Sequence, residues 1–554
     1  MSTLRRLLND LVEADPDAPI ALDRVEDGFR AVSRAQLHAR ARAVQARLAA
    51  AGVGPGDCVA VWLPNWSDAL SWQFGAAARG AHVIGLNTRY NVEEVGHVLN
   101  RARPRVVAVA AGFHGLDLIG VLGEAVRTAQ VPAPFVVPVS GPGKSEPDAG
   151  AFDLGGGAAV VAPLAQPAER DGTGLAEGDG AVLAERDGQE SADRDGSDLA
   201  VAFTTSGSTG LPKLAAHRED AVVAHARADA AALGLGEGDV AACVLPLSGV
   251  FGFCAALAAV AGGAACLLEP VFDPAATVAA MAEQRATHLV GGDDMAGRLL
   301  DAWRERPVEL PALRWLGLAD FLGRSAEVAA WAAEFGASTT GVYGSSEVFA
   351  LALLWPESTP VPRRWSGGGL PVSPQIRVRT ADPHDDRPVA DGEQGELQFA
   401  GPTVVDAYLG GGDAGARTAD GWFRTGDLAV RSEDGGIEYV CRMGDVLRLS
   451  GFLVAPAEIE HRLAAHEAVS TAKVVGARTG NGVRAVAFVV LTEPAAATPA
   501  ELREWCSATL AKFKVPARVH IIDEMPTTSG TNGAKIRAAQ LREWAENYQE
   551  DADG

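Results

Sequence analysis

The chain has 554 residues, of which 47% are hydrophobic and 21% charged, and a formal net charge of −23. That length exceeds what one hydrophobic core supports, so two or more domains of ordinary globular composition are expected. The acidic excess repels phosphate backbones and anionic lipid, which argues against nucleic-acid or membrane-surface binding.

The N-terminal run MSTLRRLLNDLVEADPDAPIAL is charged throughout and lacks the apolar centre of a signal peptide, so a cytoplasmic protein is expected. AQLHARARAVQARLAAAG reads as a helix ending at Gly52, CVAVWLP as a buried strand, and SDALSWQFGAAARG as a helix with Ser67 as its N-cap. HVIGLN, RVVAVAA and FVVPV repeat the strand signal. This alternation predicts layered α/β architecture with mostly parallel sheet. From 163 to 198 the texture changes to Gly, Asp and Glu with few large apolar groups, which reads as a disordered acidic loop.

Val240 to Leu268 contains no charged residue and is long enough to span a bilayer. Pro246 and several glycines interrupt it, and no Lys or Arg anchors its ends, so it reads as a buried strand, a loop and a buried helix. The six cysteines, Cys58, Cys243, Cys254, Cys266, Cys441 and Cys506, form no CxxC pair, so free buried thiols are expected and neither a zinc site nor a redox motif. After Gly395 come shorter strands, GELQFAG, DLAVRS and GIEYVCR, and then strand and helix signals of a small α+β unit. The expected division is residues 1–441, a hinge at 442–445 and a mobile C-terminal domain at 446–554.

One segment carries chemistry by its composition. FTTSGSTGLPKLAAH follows the strand LAVAF. Small residues let backbone N–H groups approach phosphate oxygens, the hydroxyls of Thr204, Thr205, Ser206, Ser208 and Thr209 add donors, and Lys213 adds a cation. It is no Walker A loop, because Pro212 precedes the lysine and Leu214 follows it. The alternative for this stretch alone is a surface Ser/Gly linker.

Five further motifs follow in order: YGSSE (343–347), GELQFAG (395–401), GWFRTGD (421–427), CRMGDVLRLSGFLVAPAEIE (441–460) and TTSGTNGAKIR (527–537). The ordered series resembles the adenylate-forming superfamily of acyl-CoA synthetases, aryl-CoA ligases, peptide-synthetase adenylation domains and luciferases. The resemblance covers nearly the whole chain apart from the acidic loop. It implies a ligase using ATP and Mg²⁺, a small-molecule acid, an acceptor that is CoA or an aryl amine, and a monomer or homodimer.

The resemblance also implies roles. Ser206, Gly207, Ser208, Thr209, Gly210 and Lys213 would wrap the ATP phosphates, with Thr204 and Thr205 at the stem. Gly317, Leu318, Ala319, Tyr343 and Gly344 would line the adenine. Ser346 would donate to phosphate and Glu347 would hold Mg²⁺. Asp427 would bind the ribose hydroxyls beside Arg442, and Lys535 would bridge the acid and the α-phosphate. The acid pocket would be lined by Gly249, Phe251, Gly252, Asp293, Asp294, Asp320, Phe321 and Val342.

Departures from the family pattern bear on the acid and the acceptor. Gly249 stands where acyl-CoA members carry a histidine, and GLAD (317–320) replaces a Gly-Gly-Ala-Pro turn. Asp293 and Asp294 read either as pocket residues or as helix caps and surface charge. Gly444 takes the hinge position usually held by Asp or Lys, and Arg448 a position where some members use a lysine. Three readings follow: a carboxylic acid–CoA ligase; an enzyme activating nitrous acid to diazotise an aromatic amine; and a non-catalytic nucleotide- or carrier-binding protein.

Overall fold

The computed structural model describes residues 3–144, 196, 198–205, 212–321, 323–411, 416–443, 447–449, 452–454, 456–479, 482–492, 494–510, 512, 514–530 and 533–550. The acidic segment, Ser206 to Gly210 and Gly444 lie outside them, apart from two residues at the acidic segment's end.

A seven-stranded sheet is built around Cys58–Trp62. His82–Gly85 and Val106–Ala111 flank it in parallel, and the parallel run extends to Phe135–Ser140 on one side and Leu199–Thr204 on the other. Leu214–Arg218 and Ala407–Tyr408 close the second edge antiparallel. Cys58–Trp62 is buried at every position, which is why it reads as an unbroken apolar run and not an alternating one.

A thirteen-stranded sheet carries the rest of the large domain. Its parallel half runs Pro19–Val25, Ala265–Leu268, Val240–Cys243, His288–Gly292, Trp315–Ala319 and Ser338–Tyr343. From Leu353–Leu354 onward it is antiparallel, through Gly368–Pro371, Ile437–Arg442, Phe423–Arg431, Gln394–Ala400 and Arg377–Ala381. The charge-free stretch resolves as expected, into the strand Val240–Cys243, the buried helix Val250–Gly262 and the strand Ala265–Leu268. No described helix is long and apolar enough to cross a membrane. All six cysteines are free and buried.

The small C-terminal α+β domain has its own hydrophobic clusters. Val469–Thr479 pairs antiparallel with Gly482–Leu491, which pairs parallel with Arg518–Ile521. Ile459, Leu463, Val489 and Leu502 are fully buried in one cluster, and Phe488, Leu541 and Ala545 form the other.

The helix Ser67–Arg79 starts differently from expectation. Trp66 is its N-cap and makes no side-chain cap bond. Ser67 instead donates its backbone N–H (2.8 Å) and hydroxyl (2.5 Å) to the buried Asp23 carboxylate on the neighbouring strand, and accepts from Arg40. The Ser67 hydroxyl is thus held by a tertiary contact, and the same carboxylate satisfies one free N–H of the helix's first turn.

Candidate active site

The two sheets meet at the carboxyl ends of Leu199–Thr204 and Ser338–Tyr343, the usual place for a site in open α/β sheets. The stems of the Ser/Gly loop close on each other, Thr205 N–H donating to Lys213 C=O at 2.9 Å. The Thr204 hydroxyl meets the Tyr90 phenol at 2.7 Å, and His97 donates through Nε2 to Pro212 C=O at 2.7 Å. Lys213 is exposed, its ammonium 4.9 Å from the centre of the Tyr408 ring. These contacts fix the two stems of the loop relative to each other and to the helix Val92–Ala102. The loop residues Ser206, Gly207, Ser208, Thr209 and Gly210 are among those outside the described set.

Opposite the stems, a single 3₁₀ turn spans Ser346–Val348. Ser345 Oγ accepts from Glu347 N–H at 3.3 Å, and Ser346 Oγ reaches Thr204 C=O at 3.4 Å, tying the turn to the phosphate-loop strand. Glu347 C=O accepts from Val405 N–H at 2.6 Å. The turn ends in three consecutive non-glycine residues with left-handed backbone, Phe349 (φ 63°), Ala350 (φ 51°) and Leu351 (φ 21°). Such a run costs about 1–3 kcal/mol per residue and persists only where the surroundings dictate it. Gly344 is required nearby, since a Cβ there would lie 2.4 Å from the Ala350 carbonyl carbon.

Asp427 is buried on the strand Phe423–Arg431 and paired in register with Arg442. Its carboxylate accepts from the Tyr343 hydroxyl at 2.5 Å and lies 3.1 Å from Arg442 Nε. Burial, reinforced by that carboxylate, pushes the Tyr343 phenol well above its ordinary range, so it stays a donor. The Tyr343 ring stacks on Phe399 at 6.0 Å and tilts against Tyr439 at 5.8 Å, so it belongs to the core as well as to the site's rim.

The expected acid-pocket residues come from three places. Gly249 is the N-cap of the helix Val250–Gly262, with Phe251 and Gly252 buried in its first turn. Gly317, Leu318 and Ala319 end the strand Trp315–Ala319, where Gly292 pairs with Ala319 and Gly341 with Leu318, and a Cβ on Gly317 would touch Val342. Asp293 and Asp294 open the helix Asp293–Glu305 and are buried, not surface charges. The Asp293 carboxylate accepts from Phe321 N–H at 2.8 Å and Arg324 N–H at 2.7 Å, so it holds the segment that leads into the following helix, Ser325–Glu334. Asp320 accepts from Gly323 N–H at 3.1 Å. Burial, and then the charge of Asp293, raise its pKa to about 7.

Direct contacts tie Thr205 to Lys213, Thr204 to Ser346, and Asp427 to both Tyr343 and Arg442, and Glu347 follows Ser346 in the same turn. Lys535 lies on the hairpin strand Gly533–Ile536, paired with Thr528. Residues behind the site went unnoticed in the sequence. His217 Nε2 lies 2.7 Å from Ser346 C=O, and His225, Asp229 and Cys254 form a buried group beside it. One histidine is on a strand and the other on a helix, so no single periodicity links them.

The AMP-binding enzyme family model matches residues 8–409, and its C-terminal domain model matches residues 458–531. The chain belongs to the AMP-binding enzyme family. Within the family, the chain is 30% identical over 574 residues to the 3-[(3aS,4S,7aS)-7a-methyl-1,5-dioxo-octahydro-1H-inden-4-yl]propanoyl:CoA ligase of Mycobacterium tuberculosis, covering 98% of this chain and 99% of that one. It is 29% identical to a feruloyl-CoA synthase of Amycolatopsis, covering 94% and 95%. In fold it is similar to ATP-bound MatB from Rhodopseudomonas palustris, with TM-score 0.80, 24% identity and coverage of 99% and 100%. It is likewise similar to the amide bond synthetase McbA from Marinactinospora thermotolerans, with TM-score 0.78, 23% identity and coverage of 98% and 100%. This AMP-binding enzyme is an AMP-forming, acid-activating ligase of the acyl-/aryl-CoA synthetase family.

Proposed function

We propose that the enzyme joins a carboxylic acid to CoA in two steps. The observation that carries this is that the stem of the Ser/Gly loop is tied to the Ser346–Glu347 turn through Thr204, next to Tyr343 and its partner Asp427. The CoA-ligase names of the relatives support the acceptor.

In the first step a carboxylate oxygen attacks the α-phosphorus of ATP and pyrophosphate leaves. The Ser/Gly loop (206–210) and Lys213 hold the departing phosphates, while Ser346 donates to phosphate oxygen. Adenine lies by Gly317, Leu318, Ala319, Tyr343 and Gly344. Asp427, still able to accept, binds the ribose hydroxyls and is held by Tyr343 and Arg442. Glu347 offers carboxylate oxygen to Mg²⁺, which would neutralise phosphate charge when bound. Lys535 offsets charge between acid and α-phosphate. In the second step the CoA sulfur attacks the acyl carbon and AMP leaves. A turn of residues 446–554 about the hinge at 442–445 would exchange Lys535 for the segment around Gly451.

The pocket of Gly249, Phe251, Gly252, Asp293, Asp294, Asp320, Phe321 and Val342 selects the acid. Its acidic members motivate a second reading, since carboxyls suit an amine acceptor better than the phosphates of CoA. That reading is activation of nitrous acid for attack by an aryl amine. The test is pyrophosphate release from Mg-ATP with fatty acids, aryl acids and nitrite, each with CoA or an aryl amine. A carboxylic acid that drives release and gives a CoA thioester by mass supports the ligase. Release driven only by nitrite, and productive only with the amine, replaces it with the second reading.

A further inference from the structure

The left-handed turn behind Ser346–Glu347 needs something to hold it, and two buried histidines stand where that support would come from. His217 is fully buried, and burial lowers its pKa to about 4, so its ring is neutral. Ser346 C=O can only accept, so His217 donates from Nε2 at 2.7 Å and is the Nε2–H tautomer. Its ring lies edge-on to Phe349 at 4.9 Å, and His225 lies edge-on to the same ring at 5.5 Å. Phe203 and Phe253 approach Phe349 at 6.0 and 6.4 Å. The backbone of Ala350 and Phe349 faces His225, whose Nε2 is 3.2 Å from Asp229. Asp229 accepts from the Cys254 thiol at 3.0 Å, and all three side chains are buried. The left-handed segment is thus gripped by a hydrogen bond at its head and by four rings around Phe349.

We propose that His217 is a positioning residue for adenylation, holding the Ser346 carbonyl so that the Glu347 carboxylate is aimed at the metal–phosphate site, with His225 packing the turn from behind. The proposal rests on the reading of Glu347 as the metal-binding carboxylate. His217 touches no reacting atom. It acts through the turn, whose backbone geometry the chain does not adopt by local preference.

The test measures ATP affinity by calorimetry, in MgCl₂ and in EDTA, for the wild type, Glu347→Gln, His217→Gln and His217→Asn. Gln places its amide N–H near the imidazole Nε2 position, and Asn near Nδ1. The wild type is expected to bind ATP at least about tenfold more tightly with Mg²⁺, and His217→Gln to keep that advantage. His217→Asn is expected to lose it, with metal-free ATP affinity unchanged. A purely structural role would weaken both conditions together or lower the folded fraction seen by melting. Survival of the Mg²⁺ advantage in Glu347→Gln, or its absence in the wild type, overturns the metal assignment beneath the proposal. With those two as expected, survival of the advantage in His217→Asn overturns the positioning role alone. Equal loss in the Gln and Asn variants overturns the donor geometry.

Discussion

Asp427 occupies two environments at once. It is a buried carboxylate hydrogen-bonded by Tyr343 and ion-paired with Arg442, and its oxygens are those proposed to receive the ribose. Asp427→Ala removes the acceptor of a buried phenol, which costs about 1–3 kcal/mol when left unmade. A drop in melting temperature and an AMP affinity lowered by more than about tenfold are expected from thermal melts and calorimetry. Asp320 makes a different prediction. Its folded pKa of about 7 lies above the ordinary 3.8, so the native state holds a proton the unfolded chain has released. The stabilisation is fully present below the ordinary carboxyl value and is lost as pH rises through about 7. Asp320→Asn removes its titration, so denaturation midpoints between about pH 4 and 8 should depend less on pH in the variant. Both residues were legible as site candidates, Asp427 from its motif and Asp320 from an unexpected acid in a turn. Their contacts with Tyr343 and Asp293, candidates themselves, were not, because pairs so far apart in sequence leave no local signature.

At the scale of elements, the Ser346–Val348 turn is fixed from both ends. Gly344 lets the chain pass against Ala350, and the left-handed run from Phe349 to Leu351 follows. Gly344→Ala would push a methyl to 2.4 Å from the Ala350 carbonyl carbon, and neither neighbour is a flexible side chain that could give way. A loss of about 1–3 kcal/mol in chemical denaturation is expected. The loss of pyrophosphate release should exceed what the folded fraction explains, because the displaced backbone carries Ser346 and Glu347. Helices and strands were mostly readable, since apolar runs and periodicity report burial directly, as in the stretch from Val240 to Leu268. The start of Ser67–Arg79 was misread because a tertiary contact with Asp23 holds the Ser67 hydroxyl. The turn at 349–351 was unreadable for the same reason: nothing in Phe-Ala-Leu favours left-handed backbone.

At the scale of the molecule, layered α/β order was legible, but its division into a seven-stranded and a thirteen-stranded sheet was not. Strand order is set by long-range pairings, such as Pro19–Val25 beside Ala265–Leu268, that no window of sequence contains. The same long range separates binding from chemistry. Every residue proposed to grip nucleotide lies before residue 443, whereas Lys535 stands on the hairpin strand Gly533–Ile536. On the proposed roles, nucleotide affinity has its contacts without the lysine, while attack on the α-phosphorus does not. Lys535→Ala is expected to keep ATP affinity within about threefold. It should lower acid-dependent pyrophosphate release by about 10²–10³-fold, the scale of losing one charged donor at a reacting centre. Parallel calorimetry and release assays check the split. Undiminished release would remove Lys535 from the chemistry, and an equal fall in affinity and rate would mean that the lysine binds nucleotide in the ground state as firmly as in the transition state.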